Sequence, residues 1–162
     1  QRLSAVLAVG RPTVLDADAL HVLTPDLLGA RAETPLIMTP HEGELSKLCN
    51  SFGVESGNKL DTASRLAQTS DTVILAKGPD TVLASPDGRS MVFPRGSSWL
   101  STAGTGDVLA GLVGSRLAHH GDAIRAAEEG VCLHHEAARL AGPGFTAGDL
   151  ADAVKTAVAQ LS

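Results

Sequence analysis

The chain has 162 residues, of which 43% are hydrophobic, 19% charged and only 2% aromatic; this length suits one α/β domain, and we expect residues 1–162 to form a single one. Its formal net charge of −5 argues against a nucleic-acid partner or an anionic membrane surface. Cys49 and Cys132 make no disulfide framework and no apolar run reaches the ~20 residues needed to span a bilayer, so we expect a cytoplasmic protein without a membrane partner.

Short apolar runs alternate with longer segments of helical period, a pattern typical of a mostly parallel sheet covered by helices. The end of a helix over residues 3–9 comes first, stopped by Gly10 and Pro12. Strands are predicted, in chain order, over residues 13–16, 35–39 and 72–76, followed by a hairpin of residues 81–84 and 89–93 around the turn SPDG. Helices are then predicted over residues 105–119, 122–141 and 146–161.

The segment GSSWLSTAGTGDVLAG, residues 96–111, carries the strongest chemical signal. Small, flexible residues at 103–106 lead directly into an apolar helix. Backbone N–H groups can therefore converge at a helix end that carries roughly half a positive charge, which suits a phosphoryl group in transit. Asp107 follows at once, and a carboxylate there can take a proton from a substrate hydroxyl.

The same residues also have a purely structural interpretation. Thr105 is a good N-cap, and an Asp in the first turn stabilises a helix by about 0.3–1 kcal/mol without any catalytic role. Two nucleotide motifs are excluded, because the chain has no GxxxxGK[ST] string and a GxGxxG fingerprint beginning at Gly104 would need glycine where Leu109 stands. The loop taken alone leaves both interpretations open.

The string TPHEGE, residues 39–44, follows a predicted strand. Thr39 as N-cap, Pro40 at the first helical position and Glu42 at the third would form a capping box. That interpretation explains these three residues but not His41. A histidine at the carboxyl end of a strand is well placed to contact a ligand.

Two further strand ends carry polar residues. In KGPDT, residues 77–81, Lys77 could face a phosphate and Gly78 could let a nucleotide approach the backbone, although taken alone KGPD favours a surface turn. In LDADAL, residues 15–20, Asp16 and Asp18 could gather Mg²⁺ or a metal-bound phosphate, or Asp18 could cap the following helix.

The histidines give no metal signal. His134 lies on the apolar stripe of its helix, so we expect a hydrogen-bonded core histidine. The pairs at residues 119–120 and 134–135 lack a zinc-binding spacing such as HxxxH, and we assign no metal to them.

Four strings in one order are more specific than any one of them: LDADAL (15–20), TPHEGEL (39–45), KGPDTVL (77–83) and STAGTGDVLAG (101–111). Together they resemble the ADP- or ATP-dependent NAD(P)H-hydrate dehydratases of the ribokinase-like superfamily. GVCLHHEAARLAG (130–142) and FTAGDLADAV (145–154) are similar to the end of that family's domain. The resemblance implies a three-layer α/β fold, with a mostly parallel central sheet and helices on both faces.

The resemblance also implies a reaction and its residues. ADP or ATP, with the Mg²⁺ that a polyphosphate brings, would phosphorylate the hydroxyl of hydrated NADH or NADPH, and loss of phosphate would restore the ring. Asp107 would bind the hydrate and deprotonate it, and His41 would contact the same substrate. The catalytic anion cradle would comprise Gly104, Thr105 and Gly106, and the nucleotide site would comprise Lys77, Gly78, Pro79, Asp80, Thr81 and Gly106. We also expect a homo-oligomer.

The chain departs from the family's pattern in two ways. Gly96–Ser97 stands where the family usually has Gly-Asn, and Ser101 replaces a usual alanine. The family's domain also has an N-terminal portion that would precede Gln1, so we expect residues 1–162 to be the C-terminal portion of a partial domain, with one sheet edge exposed.

Two other functions remain open. The first is a ribokinase-like kinase of a sugar or pyrimidine alcohol, which would use the same Asp107 and anion cradle. The second is a domain that binds adenine nucleotide without turnover. His41 and its TPHEGEL string favour the dehydratase over the kinase, because sugar kinases of the superfamily share the GxGD loop but not that string.

Overall fold

The computed structural model describes residues 2–161, and their strands form one sheet in sequence order: β1 (Thr13–Leu15), β2 (Leu36–Met38), β3 (Val73–Ala76), β4 (Thr81–Ala84) and β5 (Ser90–Phe93). β1, β2 and β3 pair in parallel, whereas β4 runs antiparallel to β3 and to β5. Every described strand except β4 therefore points the same way. The predicted mostly parallel sheet is confirmed, and each predicted strand is present with ends that agree to within one residue.

Helices cover both faces of this sheet. One face carries α1 (Arg2–Ala8), α2 (Asp18–His21), α3 (Pro25–Gly29), α4 (Glu42–Phe52) and α5 (Lys59–Ser70). The other carries α6 (Thr105–His120) and α7 (Ala123–Ala141), against which α8 (Ala147–Leu161) packs, and a 3₁₀ turn (Ser98–Ser101) precedes α6. The three layers that the sequence predicts are confirmed.

The strands are buried on both faces, which explains why their sequences are uninterrupted apolar runs. Successive side chains of a strand point to opposite faces. Ile37 and Leu75 accordingly pack toward α6 and α7, whereas Met38 and Ile74 pack toward α4 and α5. All four are completely buried.

The contact between α6 and α7 is close because Gly130 has no side chain. A Cβ at this position would lie 2.6 Å from Val113 Cγ2 and 3.2 Å from Val113 Cα. The backbones of the two helices therefore approach directly, and the middle of α7 packs against the middle of α6. Within the described part of the chain, no helix combines the length and apolar character needed to cross a membrane.

Candidate active site

A cavity of about 550 Å³ lies where the loops after β2, β3 and β5 meet the start of α6. This is the carboxyl-end edge of the sheet, where ligands bind in open α/β folds. Its principal polar lining comes from His41, Glu42, Lys77, Thr81, Arg95, Ser97, Thr105, His134 and His135.

Most of the residues predicted for the site line this one cavity, namely His41, Lys77, Gly78, Pro79, Thr81, Thr105 and Gly106. Asp80 instead lines a neighbouring cavity of about 430 Å³, and the two cavities share the wall formed by residues 77–79. Gly104 and Asp107 flank the lining residues and are exposed. The structure thus brings three loops together and places the Asp107 side chain outside the cavity's lining.

The N-cap of α4 is His41, so the predicted capping box with Thr39 as its N-cap is wrong. Thr39 N–H donates to Leu15 O at 3.0 Å, which prolongs the β1–β2 pairing by one residue and keeps the chain extended there. The box lies two residues later. His41 Nδ1 accepts from the N–H groups of Gly43 (3.0 Å) and Glu44 (3.2 Å), and Glu44 Oε2 accepts from His41 N–H at 2.8 Å.

This capping arrangement decides which hydrogen bonds His41 can offer. Since Nδ1 accepts from two backbone donors, the proton of the neutral ring lies on Nε2. Nε2 is 3.4 Å from Glu44 Oε1, and the His41 side chain is 60% exposed. In this orientation His41 can donate a hydrogen bond to an acceptor such as an amide carbonyl or a phosphate, but it cannot serve as a base.

Lys77 links the ends of β1 and β3 to the anion cradle. Its Nζ donates to Asp16 Oδ1 at 2.6 Å, and both side chains are largely buried. A Cβ on Gly106 would lie 3.6 Å from the same Nζ, so the ammonium sits beside the first turn of α6. Lys77 and the helix dipole therefore place two sources of positive potential at one point.

The two aspartates of LDADAL lie in different surroundings, and a role for either of them toward Mg²⁺ remains a prediction. Asp16 is paired with Lys77, and residues 2–161 contain no group of three or more His, Cys, Asp or Glu arranged to hold a metal ion. Ala17 occupies the N-cap position of α2 with φ of 50°, and Asp18 is the first helical residue. The interpretation of Asp18 as a cap is wrong.

The anion cradle is shaped by Gly104 and Thr105. Gly104, not Thr105, is the N-cap of α6, and its φ of 87° favours glycine. Thr105 Oγ1 is engaged as a donor toward Leu100 O (2.6 Å) and Thr102 O (2.8 Å), so the predicted Thr105 cap is wrong. Because the Thr105 N–H points to Thr102 O at 3.3 Å, the amides of Gly104 and Gly106 are the better donors for an anion.

His134, on α7, holds the anion cradle through a hydrogen bond to the backbone of Thr105. It is 6% exposed, and its Nε2 donates to Thr105 O at 2.9 Å. Burial lowers the pKa of His134 to about 4, although the bond to Thr105 opposes this shift, so the ring is neutral near pH 7. The prediction of a hydrogen-bonded core histidine is confirmed.

His135 and Arg95 are among the lining residues that were not predicted as site residues. Burial lowers the pKa of His135, which follows His134 on α7, and a Cβ on Gly96 would lie 2.9 Å from His135 Nε2. Arg95 lines the cavity from the segment after β5 and is exposed. In the sequence, His135 is one position of a predicted helix and carries no signal of a site. Its place in the cavity depends on the packing of residue 96 against α7.

Comparisons with known proteins agree with one another. The NAD(P)H-hydrate dehydratase family model matches residues 1–159. The chain is 36% identical over 155 residues to the ADP-dependent (S)-NAD(P)H-hydrate dehydratase of Neisseria meningitidis, covering 90% of this chain and 52% of that protein. It therefore spans about half the length of this curated relative.

Solved structures extend the comparison. The ADP/ATP-dependent NAD(P)H-hydrate dehydratase of Bacillus subtilis, co-crystallised with ATP/Mg²⁺ and soaked with CoA, superposes with a TM-score of 0.82 at 31% identity, covering 97% of this chain and 59% of that one. Ribokinase from Thermotoga maritima matches with a TM-score of 0.63 at 14% identity, covering 91% and 49% of the respective chains. This second likeness shows that the fold is ribokinase-like.

Proposed function

Since the chain belongs to the NAD(P)H-hydrate dehydratase family, we propose that it carries the nucleotide site and the phosphoryl-transfer centre of an enzyme that repairs hydrated NADH or NADPH. ADP or ATP would phosphorylate the hydroxyl of the hydrated nicotinamide ring. Loss of phosphate would then restore the dihydronicotinamide. The family resemblance found in the sequence is confirmed by the match over residues 1–159.

The observation that carries this proposal is the meeting of Lys77 with the start of α6. Lys77 Nζ would be 3.6 Å from a Cβ on Gly106, and both residues line the cavity that also contains Gly78, Pro79 and Thr81. A fixed ammonium, backbone amides and a helix N-terminus together suit the phosphates of a nucleotide. We propose that Asp80, which lines the adjoining cavity, holds the far end of the same loop.

Asp107 would act from the opposite side of the cradle. Gly106 faces the cavity, whereas the neighbouring Asp107 is exposed on the first turn of α6. Phosphoryl transfer requires the attacking and leaving oxygens to lie roughly in line on opposite sides of the phosphoryl group. We therefore assign the phosphates of the nucleotide to the Lys77 side of the cradle and the hydrate's hydroxyl to the Asp107 side, where the carboxylate would take the hydroxyl proton.

The remaining roles in the reaction are assigned from the chemistry of each group. Gly104 and Gly106 amides would bind the transferring phosphoryl, with Thr105 shaping the loop. His41 would donate from Nε2 to the hydrate, for example to a carboxamide oxygen. Because Mg²⁺ is commonly held through substrate phosphates and water, we expect it to arrive with the nucleotide, and no protein ligand is assigned to it.

Two further expectations concern the cell compartment and the assembly. We propose that the enzyme works in the cytoplasm, since its two cysteines suit a reducing compartment, and we keep the homo-oligomer as a proposal without a structural argument. Cys49 is buried and Cys132 exposed, and both are free.

The direct test incubates the protein with hydrated NADH or NADPH and follows the return of dihydronicotinamide absorbance. Recovery that requires ADP or ATP supports the dehydratase. Reactions without nucleotide, and with each nucleotide separately, serve as controls and identify the phosphoryl donor. Absence of recovery together with phosphorylation of a sugar or pyrimidine alcohol would instead support the ribokinase-like kinase.

A further inference from the structure

Lys59 stands where a lysine is locally unfavourable. It is the first residue of α5, and a cation in the first turn of a helix opposes the helix dipole, an effect of about 0.3–1 kcal/mol. The helix does not need Lys59 for capping, because Asn58 Oδ1 accepts from Asp61 N–H at 2.9 Å. When a residue is unfavourable in its own helix, a contact with another part of the fold is expected to compensate.

The explanation is a contact with the loop of residues 77–80. The Lys59 side chain is largely buried, and its ammonium donates to the backbone carbonyl of Asp80 and lies 3.5 Å from Asp80 Oδ1. Lys59 lines the smaller of the two adjoining cavities and is absent from the lining of the larger one. Lys59 therefore contacts this loop on the side that faces the smaller cavity, away from the cavity proposed to bind the nucleotide.

Gly78 fits this contact. A Cβ on Gly78 would lie 2.5 Å from Lys59 Nζ and 3.3 Å from Asp80 O, so the Lys59 ammonium fills the space that a side chain would need. The start of the loop is held separately, because Lys77 N–H donates to Pro40 O at 2.7 Å and Lys77 Nζ to Asp16. Both ends of the loop are thus fixed, one by the strand ends and one by α5.

We propose that Lys59 is a positioning residue for the nucleotide site, which fixes the backbone of residues 78–80 through the Asp80 carbonyl, and that residue 78 is glycine to admit its ammonium. This inference rests on the proposed function, because it takes the cavity beside Lys77 to be the nucleotide site. The ion pair with the half-exposed Asp80 carboxylate contributes little, but the same ammonium also binds a backbone carbonyl that no other described side chain binds.

The test measures ADP binding by calorimetry for the wild-type protein and for Lys59→Met, Lys59→Arg and Gly78→Ala. We expect Lys59→Met and Gly78→Ala each to weaken ADP binding about three- to tenfold, because the loop must then be ordered on binding. Lys59→Arg keeps a donor of similar reach and should restore most of the affinity. Lys47→Met, which removes an exposed lysine of α4, is the matched control and should leave the affinity unchanged.

The double variant Lys59→Met/Gly78→Ala separates this role from a general loss of stability. If both changes break one contact, the double variant binds ADP no more weakly than the worse single variant, whereas independent effects would multiply. Amide hydrogen exchange should rise at Gly78, Asp80 and Thr81 and stay unchanged in α7.

The outcomes distinguish the two proposals. ADP binding that is strong in the wild type and equal in Lys59→Met overturns the role of Lys59 and leaves the proposed function standing. Multiplicative effects in the double variant overturn the link between Lys59 and Gly78. A wild-type protein that binds no ADP contradicts the proposed function itself, and the role of Lys59 with it.

Discussion

His41 shows how one residue can combine structure and recognition. Its Nδ1 caps α4, while its Nε2–H remains available beside the cavity. From the sequence, Thr39 and Pro40 looked like the start of the helix, because Ser or Thr followed by Pro is a common N-terminal pattern. The structure begins the helix at Glu42, since the β1–β2 pairing continues through Thr39. A local pattern could not reveal that tertiary hydrogen bond.

The two roles of His41 can be separated by substitution. His41→Asn retains a good capping side chain, so its thermal stability should stay close to wild type while affinity for the hydrated dinucleotide falls. His41→Ala should lose about 0.5–2 kcal/mol of stability as well, since the cap is gone. Thermal unfolding and KM for the hydrate measure the two effects. Equal KM values for wild type and His41→Asn would contradict the proposed donor role.

Asp107 carries the proposed proton transfer. Asp107→Asn should lower the rate of dehydration about 10²–10⁴-fold, the usual contribution of a positioned base, because an amide cannot take the hydroxyl proton. ADP affinity should change little, since Asp107 does not line the cavity. Asp152→Asn removes an exposed carboxylate of α8 and is the control. Full turnover by Asp107→Asn would exclude this residue as the base.

At the scale of elements, α6 and α7 act as a pair that supports the anion cradle. Gly130 lets the two helices approach, and His134 ties α7 to the first turn of α6 through Thr105 O. The histidine was expected in the core from its helical spacing, but its acceptor was not, because residues 105 and 134 are brought together only by helix packing.

The buried His134 predicts a pH dependence of stability. Its pKa in the folded protein is about 4, below the ordinary value of 6.5, so below pH 6.5 the unfolded chain takes up a proton that the folded one does not. The free energy of unfolding should therefore fall between pH 6.5 and 4, by about 3 kcal/mol at most. His135, whose pKa is also lowered by burial, adds to the trend.

Urea unfolding across this pH range checks the prediction, with His134→Gln as the matched variant. Glutamine can still donate to Thr105 O but does not titrate. The wild type should lose more stability on acidification than His134→Gln does, and the two should have similar pH dependence above pH 7. Parallel curves for the two proteins throughout the range would show that His134 is not held neutral by burial.

Across the whole molecule, the order of elements was more predictable than their junctions. Runs of apolar residues predicted the strands, because strands buried on both faces cannot alternate with polar residues. The predicted α6, α7 and α8 also agree with the structure to within one residue at each end. The sequence set no bounds for α2 to α5, and the pairing of Asp16 with Lys77 depends on strand order.

The candidate site was predicted in part, because the sequence shows which residues follow the strands but not how the helices pack against them. His41, Lys77 and Gly106 follow different elements, and parallel strands bring their ends to one edge of the sheet. Lys59 and His135 were missed as site residues, since they reach the loops from helices whose packing the sequence does not encode locally. The assignments of role to these residues remain predictions.

The central claim is that the cavity at the carboxyl-end edge of the sheet binds an adenine nucleotide. Amide chemical-shift mapping of the protein during an ADP titration tests it most directly. We expect the largest shifts at the amides of residues 77, 78, 80 and 81 and of residues 104–106. Shifts confined to the opposite edge of the sheet, around Arg31 and Asp122, or no shifts at saturating ADP, would contradict it.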